Sequence, residues 1–221
     1  MKGLFVFISC LLLHVSFAQV TVIRDPLACA YGLKNKDNQW VVPAQYQQLL
    51  LLDNNMYACQ LAEKWGIVTS KGKTLLDPVH DNVSIFFPGK YLVTKTDYSS
   101  NNQLRKVGLI DTTGKWFFPQ EYASILRMQN LSFCLVKSKE ISQTQTAYQT
   151  SFADEDGTIL FPFVDGYILS AFYQKPTYLI GSSTIGTYTV SGNVRIINDQ
   201  GAYLSDSTYD MGMVCGNKFI V

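Results

Sequence analysis

Three groupings of residues in this chain carry side chains capable of chemistry. His80 precedes Asp81 and is the one histidine beyond residue 18. A nucleophilic triad needs a serine or cysteine within reach of a base that a carboxylate orients. His80 and Asp81 are adjacent without being so oriented, and no nucleophile elbow, phosphate loop or zinc-ligand spacing accompanies them. The second grouping, Asp154-Glu155-Asp156-Gly157-Thr158-Ile159, sets hard oxygens at alternate positions before a glycine, as a calcium loop does. Its twelfth place holds Asp165 rather than a bidentate glutamate, and ordinary turn chemistry accounts for the same residues. No metal or cofactor is therefore expected. The third grouping is a column of polar-tipped side chains, Tyr46, His80, Tyr122, Asp165 and Tyr209. Stacked along one rim they would suit a sugar or a peptide. The competing reading is packing, with each tyrosine ring filling a seam and its hydroxyl bonding a nearby carbonyl.

The column is regular because the chain beneath it repeats. Turn residues Asn38, Gly72, Gly114, Gly157 and Gly201 lie 34, 42, 43 and 44 residues apart, a period that marks stacked arrays. Each column residue is the eighth after its turn. Three residues before the turn stand Asn35, Thr69, Asp111, Asp154 and Asn198, short polar side chains able to bond amides two residues on. Six before it stand Gly32, Gly66, Gly108, Ser151 and Arg195.

After the turns come Trp40-Val41-Val42, Thr74-Leu75-Leu76, Trp116-Phe117-Phe118 and Ile159-Leu160-Phe161. Apolar residues in unbroken runs, rather than alternating, predict strands covered on both faces. Pro43, Pro78, Pro119 and Pro162 are expected to end them by withholding a donor, while the fifth copy has Asp206 there. Further hairpins are expected at 83–87 with 91–96 and at 123–128 with 133–137, and exposed loops at 97–105 and 141–148. The predicted fold is all-β: an array of about five four-stranded antiparallel β-meander repeats, either a propeller-like ring or an open twisted β-solenoid. Ring closure would pair 20–23 with the terminal run 218–221.

The stretches Lys64 to Pro78 (KWGIVTSKGKTLLDP) and Lys106 to Tyr122 (KVGLIDTTGKWFFPQEY) resemble the WG-repeat family. Its units run Trp-Gly, an apolar step to Asp, a Gly-Lys turn, an apolar strand, Pro, then Tyr-Asp. Trp65-Gly66 matches the naming dipeptide in full, and Tyr31-Gly32 and Val107-Gly108 keep its glycine. Gly72, Gly114, Trp116, Gly157 and Gly201 fall at the family's structural positions. The resemblance implies exported or surface-associated bacterial proteins and carries no catalytic residues. A Trp sealing the seam between units would contribute several kcal/mol, and Trp65→Ala is expected to cost about 3 to 5 kcal/mol.

Composition sets the compartment and the partners. Met1-Lys2, an apolar run from Leu4 to Val15 and Ser16-Phe17-Ala18 form a predicted signal peptide over 1–18, leaving 19–221 as a single repeat domain. Cys10 lies inside the apolar run and makes a poor lipid-attachment site. The expected location is periplasmic, cell-surface or secreted, with no transmembrane segment. Without Lys2 the acidic and basic side chains balance at 17 each, which argues against nucleic acid as a partner. Cys29, Cys59, Cys134 and Cys215 are expected mainly as small buried hydrophobes, with a disulfide such as Cys29 to Cys215 left open if the chain ends meet. The expected function is a non-enzymatic binding or scaffold module holding a protein, peptide or glycan. Its competitor is a carbohydrate hydrolase using Asp81 with Asp165 or Asp210, and a plain envelope spacer is a third alternative.

Overall fold

The computed structural model describes residues 20–53, 55–98, 103–128, 132–142, 145–171, 177–181, 184–185, 194–198, 200–204, 206–207, 209, 213–215 and 218–220. The predicted signal peptide and Asp210 lie outside them. Among the described residues every regular element is a strand, and the sheets are antiparallel meanders, none closed into a barrel. Sheet one holds β1 (Thr21–Asp25), β2 (Ala30–Lys34) and β3 (Trp40–Tyr46). Sheet two holds β4 (Gln48–Asp53), β5 (Met56–Leu61), β6 (Lys64–Thr69) and β7 (Thr74–His80). Sheet three holds β8 (Asn82–Phe87), β9 (Lys90–Asp97), β10 (Leu104–Asp111) and β11 (Trp116–Tyr122). Sheet four runs β12 (Ser124–Arg127), β13 (Phe133–Ser142), β14 (Gln145–Ala153) and β15 (Val164–Asp165). Sheet five comprises β16 (Tyr167–Ala171), β17 (Thr177–Gly181) and β19 (Val194–Asn198), while β18 (Thr184–Ile185) pairs with β14. A final hairpin joins β20 (Met213–Cys215) to β21 (Lys218–Ile220).

All five repeat turns are built alike. The N–H of Asn38, Gly72, Gly114, Gly157 and Gly201 donates to the carbonyl three residues earlier, at 2.9 to 3.1 Å. Each of the five has positive φ, between 62° and 90°, which glycine adopts without strain and asparagine tolerates. The side-chain oxygens of Asn35, Thr69, Asp111, Asp154 and Asn198 each accept N–H bonds from the residues two and four positions on.

The unbroken apolar runs are explained by how the sheets stack. In β5, Tyr57 and Cys59 join Leu33, Val42 and Tyr46 of sheet one, while Met56 and Ala58 join Val83, Tyr91 and Val93 of sheet three. In β13, Phe133 and Leu135 face sheet three, and Cys134 and Val136 pack with Ile197 of sheet five. Each interior sheet is thus greasy on both sides, as the sequence predicts. Lys34 stands where later sheets place Val68, Ile110, Ala153 and Ile197 against the preceding sheet. The outer side of sheet one thus carries a lysine, laid over the Trp40 ring, where every later sheet carries an apolar residue, as suits an array cap.

The prolines depart from expectation. Strands β3, β7 and β11 run on past Pro43, Pro78 and Pro119 to the column residue, and each proline lies in a bulge. A missing donor is harmless there, because the bulge interrupts the ladder. The predicted loop at 141–148 is also largely strand, since β13 and β14 pair as far as Ser142 and Gln145. Among the described residues the terminal segments do not pair with each other: β1 pairs with β2 and β21 with β20.

Candidate functional site

The column residues occupy the last position of each bulged strand or its equivalent. Tyr46, His80 and Tyr122 are buried, at 5, 7 and 3 % exposure. Register puts Tyr46 opposite Tyr31, His80 opposite Trp65 and Tyr122 opposite Val107. Tyr122 also stacks on Phe163 at 6.3 Å between ring centroids. Burial raises the pKa of both tyrosines. Asp165 is exposed and accepts a 2.8 Å bond from Gln149 Nε2, and Tyr209 is half-buried. The three sheet-ending rings therefore line seams between sheets, and only Asp165 of the column faces solvent openly.

His80 meets Trp116 edge to face at 6.3 Å. Its Nδ1 and the Nε2 of Gln120 beside it are both buried without a hydrogen-bond partner. Burial first, and the charge of Lys95 second, hold the imidazole pKa below its usual value, with Gln120, Asp81 and Asp77 opposing. Asp81 is engaged elsewhere: it pairs with Lys64 Nζ at 2.5 Å and accepts the Thr96 N–H at 2.6 Å. The Lys64 contact is the largest cause holding its carboxyl below the usual range. Asp81 follows β7 whereas Asp165 ends β15, two sheets further along.

The calcium-like segment is the fourth hairpin turn. Asp154 Oδ1 accepts from the N–H of Asp156 at 3.1 Å and of Thr158 at 2.8 Å, the duty that Thr69 Oγ1 performs in sheet two. Among the described residues no three histidine, cysteine or carboxylate side chains converge. Cys59 and Cys134 are buried free thiols whose pKa values burial pushes up to about 11 and about 12, and thiols so protonated are poor nucleophiles. Cys29 is a free, exposed thiol, so the bridge to Cys215 is not formed.

The repeat-structural glycines do two different jobs. A Cβ on Gly32 would fall 2.5 Å from Val42 O, and one on Gly108 2.8 Å from Phe118 O; Gly66 meets Leu76 O in the same way. These glycines admit the bulged strand of their own sheet. The turn glycines instead seat one unit on the one before. A Cβ on Gly72 would lie 2.6 Å from Val41 O, on Gly114 3.2 Å from Leu75 O, and on Gly157 3.1 Å from the Phe117 ring, while Gly201 abuts Phe161. Trp65 and Trp116 are half-buried against the core between sheets two and three.

A surface the sequence reading passed over lies along the first strands of sheets two to four. Leu50, Leu51, Ile85 and Leu126 are exposed at 51, 61, 47 and 40 %. They follow Leu49, Val83 and Ile125, each buried at the same repeat position. The run Leu49 to Leu52 was the available signal, but four leucines in succession read as core.

No curated protein matches the chain. A family model described as WG containing repeat matches residues 31–65, from the Tyr31-Gly32 step of sheet one to Trp65 of sheet two. One repeat period is thereby covered, so residues 31–65 carry a WG repeat, and turns, bulges and seam contacts of the same kind recur beyond it.

Proposed function

We propose that this protein is an exported, non-enzymatic binding or scaffold module, periplasmic, cell-surface or secreted, that holds a protein, peptide or glycan on its repeat surface. The observation that carries the reading is exposed apolar side chains on the first strands of three successive sheets, Leu50 and Leu126 at one repeat position and Leu51 and Ile85 at the next. Exposed apolar side chains gathered at equivalent repeat positions mark contact surfaces. Trp40, Tyr98 and Tyr203, exposed at 38, 68 and 41 %, add aromatic area suited to sugars. Asp81, committed to Lys64 and Thr96, is poorly placed to serve as a free acid or base.

Screening the purified protein against peptide and glycan arrays tests the reading. Leu51→Lys or Tyr98→Ala should remove captured ligand while Asp81→Asn leaves it. Turnover of an oligosaccharide that collapses in Asp81→Asn or Asp165→Asn would establish the hydrolase instead.

A further inference from the structure

Tyr46 lies in the core between sheets one and two, and Tyr122 in the core between sheets three and four. Their counterpart between sheets two and three is His80, which stands opposite Trp65 of β6 and meets Trp116 of β11 edge to face. This seam alone is polar at its column position. It also holds His80 Nδ1 and Gln120 Nε2, the two buried side-chain nitrogens or oxygens that lack a hydrogen-bond partner among the described residues. In a protonated imidazole both ring nitrogens are donors, so Nδ1 would bury an N–H with no acceptor, and the unpartnered Gln120 nitrogen can only donate as well. The closed seam therefore resists a proton. Of the charged groups that act on the ring, Lys95 of β9 opposes protonation more strongly than Asp81 or Asp77 favours it, and Gln120 also favours it less than Lys95 opposes.

β7 ends at His80 and β8 begins at Asn82, so Asp81 alone joins the two sheets in the chain. It is bonded to both. Its carboxylate pairs with Lys64 Nζ of β6 and accepts the Thr96 N–H of β9, and its own N–H donates to Thr94 O at 2.8 Å. In a stacked array each unit is held chiefly by its immediate neighbours, so one seam can open without unfolding the rest. We infer that the seam between sheets two and three is an acid-operated joint: a proton on His80 opens it about the Asp81 corner while the neighbouring seams stay closed. The sign follows from the two states. An open seam lets the imidazole take its proton near the ordinary value of 6.5, whereas the closed one holds it off, so opening grows as pH falls below that value.

Val93, fully buried on the sheet-three side of the joint, supplies a reporter as Val93→Cys. Cys59 and Cys134, buried between sheets one and two and between sheets four and five, are internal controls. Thiol labelling with a dithiodipyridine is followed at each site by peptide mass, and each rate is divided by that of the urea-unfolded chain at the same pH. Between pH 7.5 and 5 the ratio at position 93 should rise by about tenfold or more, while Cys59 and Cys134 stay level. The rise should vanish in His80→Tyr and in His80→Gln, neither of which gains a proton in this range, and persist in Asp81→Asn. Protection of Cys59 and Cys134 at pH 7.5 verifies that each variant is folded. A level ratio at position 93, a rise that survives both His80 variants, or a rise lost in Asp81→Asn would overturn the joint. A parallel rise at Cys59 and Cys134 would overturn it too, by showing that the whole array opens together.

Discussion

Sheets two and four solve one packing problem with opposite chemistry. In sheet two the dipeptide facing the bulge is Trp65-Gly66, and in sheet four it is Thr150-Ser151. Gly66 has no side chain, so the bulged strand closes over it and continues unbroken from Thr74 to His80. Ser151 has one and uses it: Oγ donates to Phe161 O at 2.6 Å, the carbonyl equivalent to Leu76 O. Thr150 Oγ1 donates to Gly166 O at 2.7 Å. Both polar side chains are fully buried and bonded. The accommodation has a geometric cost. Between matched pairs, Val68 with Thr74 and Trp65 with His80 bracket five residues on the outer strand, whereas Ala153 with Ile159 and Thr150 with Val164 bracket four. The outer strand of sheet four shrinks to an isolated bridge and the two residues of β15. Glycine at this position thus serves close approach and strand continuity, not the turn itself.

The sharpest way to break the comparison is Gly66→Ala. The new Cβ would lie 2.7 Å from Pro78 N and against Leu76 O, both backbone atoms that cannot swing aside. A loss of about 3 kcal/mol in denaturant titration is expected. Gly66→Ser should lose less, because its hydroxyl can bond Leu76 O as Ser151 bonds Phe161 O. A loss under about 1 kcal/mol for Gly66→Ala would show that the bulge moves freely and that close approach is not the reason for glycine.

Trp65→Ala tests the apolar half of the pair. The ring is only half-buried against the core between sheets two and three. The expected loss is therefore about 2 to 3 kcal/mol, below the range for a fully buried aromatic. On the polar side, Ser151→Ala strands Phe161 O without its donor and should cost about 1 to 2 kcal/mol. If Ser151→Ala proved neutral, the hydrogen bond would be incidental and the shortened bulge would need another cause.

Much of this was legible in the residues, and the failures have physical reasons. The turns could be read because Asn35, Thr69, Asp111, Asp154 and Asn198 act locally, bonding amides within four residues. Burial on both faces could be read from unbroken apolar runs such as Trp116-Phe117-Phe118. The prolines misled because donor loss reads as strand ending, whereas a bulge opposite a glycine absorbs it, and that pairing is visible only once β6 and β7 are aligned. The column left its two readings, groove and packing, open for a related reason. A tyrosine tip looks the same in sequence whether it lines a groove or a seam, and burial of Tyr46 and Tyr122 depends on the next sheet along the array. The rim at Leu50 and Leu51 was hidden because composition reports greasiness and not which strand is the edge.

The smallest expected effect distinguishes the seams by acid. His80 stands opposite Trp65 in sheet two, while Val164 holds the matching place opposite Thr150 in sheet four. Burial and Lys95 depress the imidazole pKa in the folded state, so folding favours the neutral ring. The stability this confers is complete above the unfolded value near 6.5 and falls as pH drops below it, because the unfolded chain then binds a proton that the folded chain resists. Asp81 adds acid sensitivity in a separate window below about pH 4, since its folded pKa is also depressed but from the carboxylate range. Denaturant midpoints measured between pH 7.5 and 5 should therefore decline in the parent. His80→Tyr, which restores the residue type of Tyr46 and Tyr122, should flatten that decline. An unchanged slope would place the titrating group outside the seam between sheets two and three.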